Sequence, residues 1–461
     1  MNVELQEFLA RYPTVDAVQL LLTDPSGVTR GKTLRRHELE ALYTHGRNVA
    51  GSILGLDVTG ADVEATGLVW EAGDADKLCR PVPGTLRIAP WLERTGQVML
   101  SMVELDGAPA PADPRHCLAR VIKRLDSLGY RAVLACELEF YLLRREADGS
   151  YRPAGSESAG FESSSRDGRE QIEAYSLARL DNLAPLFREI LDAATAQGLP
   201  AGTVMSEYAP GQFEITLQHR DDALTAVDEA VQFKRLIKGV AARHGLIASF
   251  MAKPFTQRAG SGAHLHLSLA DHEGRNAFAS DDPAGTPLLR HAIAGMMASA
   301  GDAFLAFAPN GNSYRRFQRE SYAPVGVSWG VNNRSVSLRV PAGPPASRHV
   351  EHRFCGADVN LYVAGATVLA GAAMGIERQL DPGPPVIGNG YAAKPGTESH
   401  PAATLPTTWH EALQRARAAP FLRDALGADF LKVYLAIKQQ ELARFESEVT
   451  ETDRAWYLSK A

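Results

Sequence analysis

Cysteine is scarce in this chain. Cys79, Cys117, Cys136 and Cys355 stand far apart and form no C-x-x-C pair. That excludes a zinc knuckle or a disulfide framework and leaves ordinary reduced thiols. Long hydrophobic runs are missing too: nowhere do about eighteen apolar residues follow one another without polar interruption. Met1 to Tyr12 carries acids in place of a leader's basic and apolar regions. No membrane association and a cytoplasmic location are therefore expected. Basic charge is not in excess, since 48 Lys and Arg face 54 Asp and Glu for a net charge of −6. With the two signs interspersed, there is no electrostatic footprint for nucleic acid or an anionic surface. The common phosphate loops are absent as well. No G-x-x-x-x-G-K-S/T occurs, and Gly260-Ser261-Gly262 does not extend to G-x-G-x-x-G. A bound nucleotide would need metal ions and arginines to hold its phosphates.

At 461 residues the chain exceeds what one hydrophobic core usually serves. Within 14–105, the segments Val15 to Leu22, Val28 to Leu34, Gly51 to Asp57, Leu86 to Ala89 and Gln97 to Leu105 read as strands, with one helical stretch near Arg36 to Tyr43. Asp106 to Pro114 then interrupts regular structure with Gly107, Pro109, Pro111 and Pro114. The boundary between a small domain, 14–105, and a larger one, 113–461, is placed there. In the larger domain, helical patterns at Cys117 to Leu128, Ser176 to Gln197, Leu224 to His244, Pro287 to Ala306, Val359 to Leu380, Thr408 to Arg417 and Ala428 to Val449 alternate with strands. The expected class is α+β, with the larger part α+β or α/β. Gly149 to Gly168, rich in Ser and Gly, reads as a surface loop.

What the chain does have is acids and histidines at spacings that aim them at one point. Glu137 and Glu139 lie in the apolar run 132–143, which reads as a buried strand, and residues two apart share a face. Two carboxylates on a core strand need a cation or a wet cleft, because burying an ionised carboxylate unpaired is costly; a solvated edge-strand face is the alternative. Glu207 and Glu214 flank the Pro210-Gly211 turn, so the chain can fold back and present both to one place. His264, His266 and Ser268 alternate with Leu265, Leu267 and Leu269, giving one apolar face and one that offers two imidazoles and a hydroxyl. Arg315, Arg316, Arg319, Arg334, Arg339, Arg348 and Arg353 crowd the stretch 312–354, and their planar forks suit carboxylates and phosphoryl groups. Glu351 sits among them, on one strand face with Arg353. Glu137, Glu139, Glu207, Glu214, His264 and Glu351 together make a two-metal site the leading reading, and hard oxygens with one imidazole suit Mg²⁺ or Mn²⁺.

Asn312-Ser313-Tyr314-Arg315-Arg316, Asn333-Arg334-Ser335-Val336-Ser337-Leu338-Arg339, the block from Lys253-Pro254 to Ser268, the Glu137/Glu139 strand and Gly211-Gln212-Phe213-Glu214 resemble the signature set of the glutamine synthetase family in its usual order. The resemblance covers nearly the whole chain. It implies an N-terminal β-grasp domain, a catalytic domain with a curved antiparallel sheet, ATP and glutamate as substrates, and two or more Mg²⁺ or Mn²⁺ ions. It also implies a homo-oligomer, a dodecamer of two stacked hexamers with active sites between subunits. By the same resemblance, one ion would be held by Glu139, Glu207 and Glu214 and the other by Glu137, His264 and Glu351. Gly260, His264, Arg316 and Arg353 would meet glutamate. Arg334 would meet the transferred phosphoryl group, and His266, Ser268, Arg334 and Arg339 would lie on the nucleotide side.

The chain departs from the family pattern where the nitrogen donor would enter. Ordinary glutamine synthetases carry a glutamate six residues after the Arg316-type arginine, on a flap that helps deprotonate ammonium; here that position is Tyr322. An aromatic ring removes a carboxylate and can line a pocket for a carbon-bearing amine. Tyr322 thus joins Arg316 and Arg334 as a residue expected at the reacting groups, with Glu320 the alternative if the flap slips by two residues. Gly55-Leu56-Asp57, the stretch Gly73 to Leu86 and Trp329-Gly330 resemble the γ-glutamylpolyamine branch, which includes γ-glutamylputrescine synthetases. The implied reaction joins the γ-carboxylate of glutamate to putrescine, another polyamine or an alkylamine through γ-glutamyl phosphate, in amine catabolism. Ordinary glutamine synthesis from ammonium is the alternative, and a non-catalytic relative a further one. Asp57, Asp62, Glu64 and Glu320 are the acids available to a diamine's distal cation.

Overall fold

The computed structural model describes residues 2–154, 172–392 and 404–461. The apolar run around Glu137 is a long strand, Arg131–Arg145. Ala132, Leu134, Cys136, Leu138 and Phe140 are buried on one side, while Val133, Ala135, Glu137 and Glu139 alternate with them half-buried, the period of two that a pleated strand imposes. Around it lies a nine-stranded sheet in the order Trp329–Val331, Leu338–Val340, Val350–His352, Ala263–Ala270, Arg131–Arg145, Gln212–Leu217 and Ala201–Ser206; Ile247–Ser249 and Tyr151–Pro153 also pair with the long strand. All pairs are antiparallel except the first two strands. Leu265, Leu267 and Leu269 face the same core as the even residues of the long strand.

Helices cover that apolar side. Leu361–Glu377 is buried around most of its circumference and crosses Pro287–Phe307 almost backbone to backbone. A Cβ on Gly295 would lie 2.0 Å from the Gly371 carbonyl oxygen and 2.4 Å from the Gly375 nitrogen, and one on Gly375 would lie 2.0 Å from the His291 carbonyl oxygen. Only glycine permits that approach, which brings the two helices close enough to form one layer behind the sheet.

The N-terminal part forms a second sheet, ordered Thr29–Arg35, Ala17–Thr23, Thr95–Val103, Asp76–Pro81 and Arg47–Ala50, with Arg87–Ile88 pairing on Thr95–Val103. Ala17–Thr23 runs parallel to Thr95–Val103 and the other pairs are antiparallel. Val18, Leu20, Leu22, Leu34, Val98, Leu100 and Met102 close a core of their own, which Val433 and Ile437 of helix Ala428–Ser447 join. Among the described residues no helix is long and apolar enough to cross a membrane.

Several elements differ from the sequence expectation. Gly51 to Asp57 is not a strand: Gly51–Gly55 is a 3-10 turn. Gly55 approaches so closely that a Cβ there would lie 2.9 Å from Thr66 Oγ1. Asp57 then turns the chain by accepting from the amides of Thr59 at 2.8 Å and Ala61 at 3.0 Å. Strands Arg47–Ala50 and Asp76–Pro81 escaped notice because only half of their residues are apolar and these show no alternation, and helix Val3–Arg11 was also missed. Ser176 to Gln197 is two helices, Leu177–Asn182 and Ala184–Gln197, because Pro185 has no amide to continue the first and suits the first turn of the second. In the Gly149 to Gly168 stretch, Tyr151–Pro153 adds a short strand, and 155–168 lie outside the described residues.

The helix crossing makes a stability prediction. Gly375→Ala should destabilise the protein by about 2–3 kcal/mol, since overpacking against backbone cannot be relieved by a rotamer change. Gly365→Ala, in the same helix but with no neighbour nearer than 3.5 Å, should be neutral or gain up to about 1 kcal/mol from helix propensity. Denaturant midpoints of the two variants measure this, and equal stability of Gly375→Ala and wild type would contradict the crossing.

Candidate active site

Strand register assembles the acidic site. Glu214 lies directly opposite Glu139, and Thr216 opposite Glu137. On the other side of the long strand, His264 lies opposite Glu137 and His266 opposite Ala135. Glu351 pairs with His266 and Arg339 with Glu351. Because these positions are spaced by two along each strand, Glu137, Glu139, Glu214, His264, His266, Glu351 and Arg339 project from one face of the sheet.

The side chains then meet. His266 Nε2 lies 3.0 Å from Glu137 Oε1, and His264 Nδ1 lies 3.3 Å from Glu137 Oε2 and 3.6 Å from Glu351 Oε1. His264 Nε2 is 3.8 Å from Glu139 Oε1. Ligand atoms of Glu137, Glu214 and His264 fall within 4.8 Å of one another, as do those of Glu137, His266 and Glu351. These clusters share Glu137 and bring His266 beside the expected ligands. Glu207 follows the end of Ala201–Ser206 and accepts from the Tyr208 amide at 3.3 Å. Glu351 is held by two guanidinium groups, Arg339 Nη1 at 2.9 Å and Arg353 Nη1.

The carboxylates divide into two electrostatic classes. Burial acts to raise Glu137, but the charge of His266 and hydrogen bonds from His264 and His266 outweigh it and hold the carboxyl far below its usual range. Burial is likewise outweighed at Glu351, where Arg353, His264 and His266 bring it down to about 2. On the opposite side compensation is weaker: the Tyr208 amide and the charge of Arg334 lower Glu207 without offsetting its burial. Burial and the Glu139 charge push Glu207 up to about 7, and burial with Glu137, Glu139, Glu207 and Glu351 pushes Glu214 up to about 10. His266 moves above its usual range because Glu137 outweighs the cost of burial.

This donor set fits a divalent cation. Among the described residues the Glu139, Glu207 and Glu214 side faces no arginine comparable to the pair on Glu351, and His264 Nε2 is buried without a hydrogen-bond partner. Two like charges within 4.8 Å of each other repel by at least about 3 kcal/mol at an effective dielectric of 20. A hard cation between them removes that cost, and oxygen donors with one or two imidazoles suit Mg²⁺ or Mn²⁺.

The remaining expected residues lie around this face. Ser268 is farther along the His266 strand on the same side. Gly260 and Gly262 lie against Arg316: a Cβ would come within 2.8 Å of Arg316 Cγ at the first, and of Arg316 Nη2 and His264 Nε2 at the second. Arg316 is buried, its fork donating to the carbonyls of Phe354 at 3.0 Å and Arg353 at 3.4 Å. Arg334 is exposed on the loop between Trp329–Val331 and Leu338–Val340. Tyr322 is exposed, and its carbonyl accepts from Arg353 Nη2 at 3.5 Å. Asp57 is instead buried in its own turn.

Two residues were missed in the sequence. Gln212 Nε2 donates to Gly260 O at 3.0 Å and to Glu139 Oε2 at 3.4 Å, tying the glycine loop to the acidic face. His349 Nε2 lies 3.0 Å from His266 Nδ1. Each stands two residues before a candidate ligand, Glu214 or Glu351, so the period of two was the available signal. A cavity of about 1100 Å³, lined by Trp91, Phe250, Asp358 and Trp409, contains none of the six ligands; the site is identified by its donor chemistry.

The family description "Glutamine synthetase, catalytic domain" matches residues 111–457. The chain is 38% identical over 461 residues to the gamma-glutamylputrescine synthetase PuuA of Escherichia coli (strain K12), covering 99% of this chain and 95% of that protein. It is 32% identical over 462 residues to the glutamate–isopropylamine ligase of a Pseudomonas species, covering 99% and 97%. A solved structure of a GmaS/ADP complex is similar with a TM-score of 0.83 at 27% identity, over 98% of this chain and 99% of that one.

A proton-linked metal response follows from Glu207 and Glu214. Their folded-state values lie above the ordinary 4.5, so at these two groups the metal-free folded protein holds more protons than the unfolded chain. The stability these two groups contribute falls as pH rises from about 4.5 through about 7 and beyond. A cation displaces those protons, so Mg²⁺ or Mn²⁺ should raise the thermal midpoint more at pH 8 than at pH 5.5. Calorimetry in paired buffers at pH 7 should show release of about one to two protons. Equal stabilisation at both pH values without proton release would contradict this assignment.

Proposed function

The chain belongs to the glutamine synthetase family, and from that premise we propose that it is an ATP-dependent ligase joining the γ-carboxylate of glutamate to a small amine: putrescine, another polyamine or an alkylamine. The observation that carries the reading is a complete acidic face, Glu137, Glu139, Glu207, Glu214, His264 and Glu351, beside a flap that presents Tyr322 where ammonium users carry a carboxylate. The two curated relatives named above are ligases of glutamate with amines, and the neighbouring structure was solved with ADP, which supports ATP as the energy source. Retention of all six candidate ligands argues against a non-catalytic relative.

An oxygen of the γ-carboxylate attacks the γ-phosphorus of ATP, and ADP leaves. The amine nitrogen then attacks the acyl carbon of γ-glutamyl phosphate, phosphate departs with one carboxylate oxygen, and the nitrogen gives up a proton. Two or more Mg²⁺ or Mn²⁺ ions, held by Glu139, Glu207 and Glu214 and by Glu137, His264 and Glu351, would supply charge neutralisation at the phosphoryl oxygens. Arg334 serves the transferred group from its exposed loop, and Arg339, His266 and Ser268 form the nucleotide side. Gly260 gives glutamate close backbone approach beside His264, Arg316 and Arg353. For Arg316 this requires exchanging a backbone carbonyl for a substrate carboxylate. Tyr322 lines the acceptor side and removes the carboxylate that would favour ammonium.

In this reading 14–105 is a β-grasp domain and 113–461 the catalytic domain. The working oligomer is a dodecamer of two stacked hexamers with sites between subunits, and the protein acts in the cytoplasm in amine catabolism.

ADP formation with ATP, Mg²⁺ and glutamate across ammonium, putrescine, spermidine and short monoalkylamines tests the reading. One amine class should exceed ammonium in kcat/KM by at least about tenfold, a barrier difference of about 1.4 kcal/mol. Tyr322→Glu should shift that preference toward ammonium. Ammonium as the best substrate of the wild type would return the protein to ordinary glutamine synthesis.

A further inference from the structure

The segment 383–391 crosses the sheet edge and touches both sides of the site. Val386 N donates to Trp329 O at 2.8 Å, and Trp329 Nε1 donates to Gly383 O at 3.0 Å. Asn333 Nδ2 donates to the carbonyls of Val386 at 3.2 Å and Gly388 at 2.8 Å, and Gly390 N donates to Ser335 Oγ at 2.8 Å. Gly390 approaches so closely that a Cβ would lie 2.5 Å from Ser335 O. The strap is thus pinned to the residues on either side of Arg334.

The next residue reaches the flap. Tyr391 Oη donates to Ala323 O at 3.1 Å, and Arg319 Nη2 donates to Tyr391 O at 2.5 Å. Between these two anchors the backbone is strained, with Glu320 at φ +61° and Tyr322 at φ +58°, a left-handed conformation that side-chain-bearing residues hold only when surrounding contacts enforce it. The side chains of Arg319, Glu320 and Tyr322 are exposed, so the conformation is held from around them: Ser321 Oγ donates to the carbonyls of Gln318 at 2.6 Å and Arg316 at 3.5 Å, Ala323 is buried, and Arg353 Nη2 donates to Tyr322 O at 3.5 Å.

We propose that Tyr391 is a positioning residue, a latch that holds the 319–323 flap over the acceptor side and joins its closure to the loop carrying Arg334. This inference rests on the ligase reading above. A closed flap matters because γ-glutamyl phosphate has two fates. Attack by an amine gives amide and phosphate; attack by water at the same acyl carbon breaks the same carbon–oxygen bond, returns glutamate and phosphate, and makes the ATP consumption futile. A latch that admits the amine past Tyr322 while excluding water sets the ratio of the two.

The test is the ratio of amide to ADP with the best amine, together with trypsin cleavage after Arg319 in the substrate-free protein. Tyr391→Phe should lower the ratio at least about twofold from the wild-type value and raise the amine KM about threefold while ADP formation persists; cleavage after Arg319 should accelerate about threefold. Arg319→Ala should lower the ratio similarly, and the double variant should be no worse than either single change, as residues of one latch are non-additive. Unchanged coupling and cleavage in Tyr391→Phe would overturn the latch, and so would proportional loss of amide and ADP. A wild type that forms ADP with no amine would overturn the ligase reading instead, and the trypsin rates would still decide the latch.

Discussion

Like-charge repulsion on one sheet face is the constraint on which the rest of this structure depends. Glu137, Glu139, Glu214 and Glu351 are brought together by register, with Glu207 at their edge. No chain would keep this cluster dry and unpaired, because each close carboxylate pair costs about 3 kcal/mol even with generous screening. The structure answers the cost unevenly. Arg339, Arg353, His264 and His266 offset the charge of Glu351 and Glu137, whereas Glu207 and Glu214 are pushed above the ordinary carboxylate range. That imbalance fits a cation on one side, facing a fixed basic wall on the other.

Holding such a face requires a stiff backing. The even residues of the long strand from Ala132 to Leu142 and the leucines of the histidine strand are fully buried, and the helices behind them cross through Gly295, Gly371 and Gly375 without intervening side chains. A slip of one residue in any strand would turn the carboxylates into the core and the leucines toward water, so the packing that stabilises the sheet also fixes the site. The flap and the strap lack that backing. They are tied by loop and side-chain hydrogen bonds rather than by strand register, which makes them the parts best placed to move while the acidic face stays still.

The acidic face was legible in the sequence because period-two patterning is local: Glu137/Glu139 and His264/His266/Ser268 declare their shared face within a few residues. Arg316 was legible by motif, but its burial beneath the glycine loop was not, since that depends on the distant carbonyls of Arg353 and Phe354. Gly51 to Asp57 read as a strand because its apolar content outweighed the glycines, whereas tertiary approach to Thr66 winds it into a 3-10 turn. Polar strands such as Arg47–Ala50 are stabilised by neighbours rather than by pattern. Tyr391 carried no signal of its own; its place follows from a chain path set by Trp329, Asn333 and Ser335.

The central claim is that glutamate's γ-carboxylate is phosphorylated on this face before an amine displaces phosphate. Glutamate labelled with ¹⁸O in its γ-carboxylate tests it most directly, with inorganic phosphate analysed by mass spectrometry after turnover with ATP and the preferred amine. Transfer of one labelled oxygen to phosphate for each amide formed is the predicted result. Phosphate without label, alongside amide formation, would contradict the acyl-phosphate route and the assignment of the face.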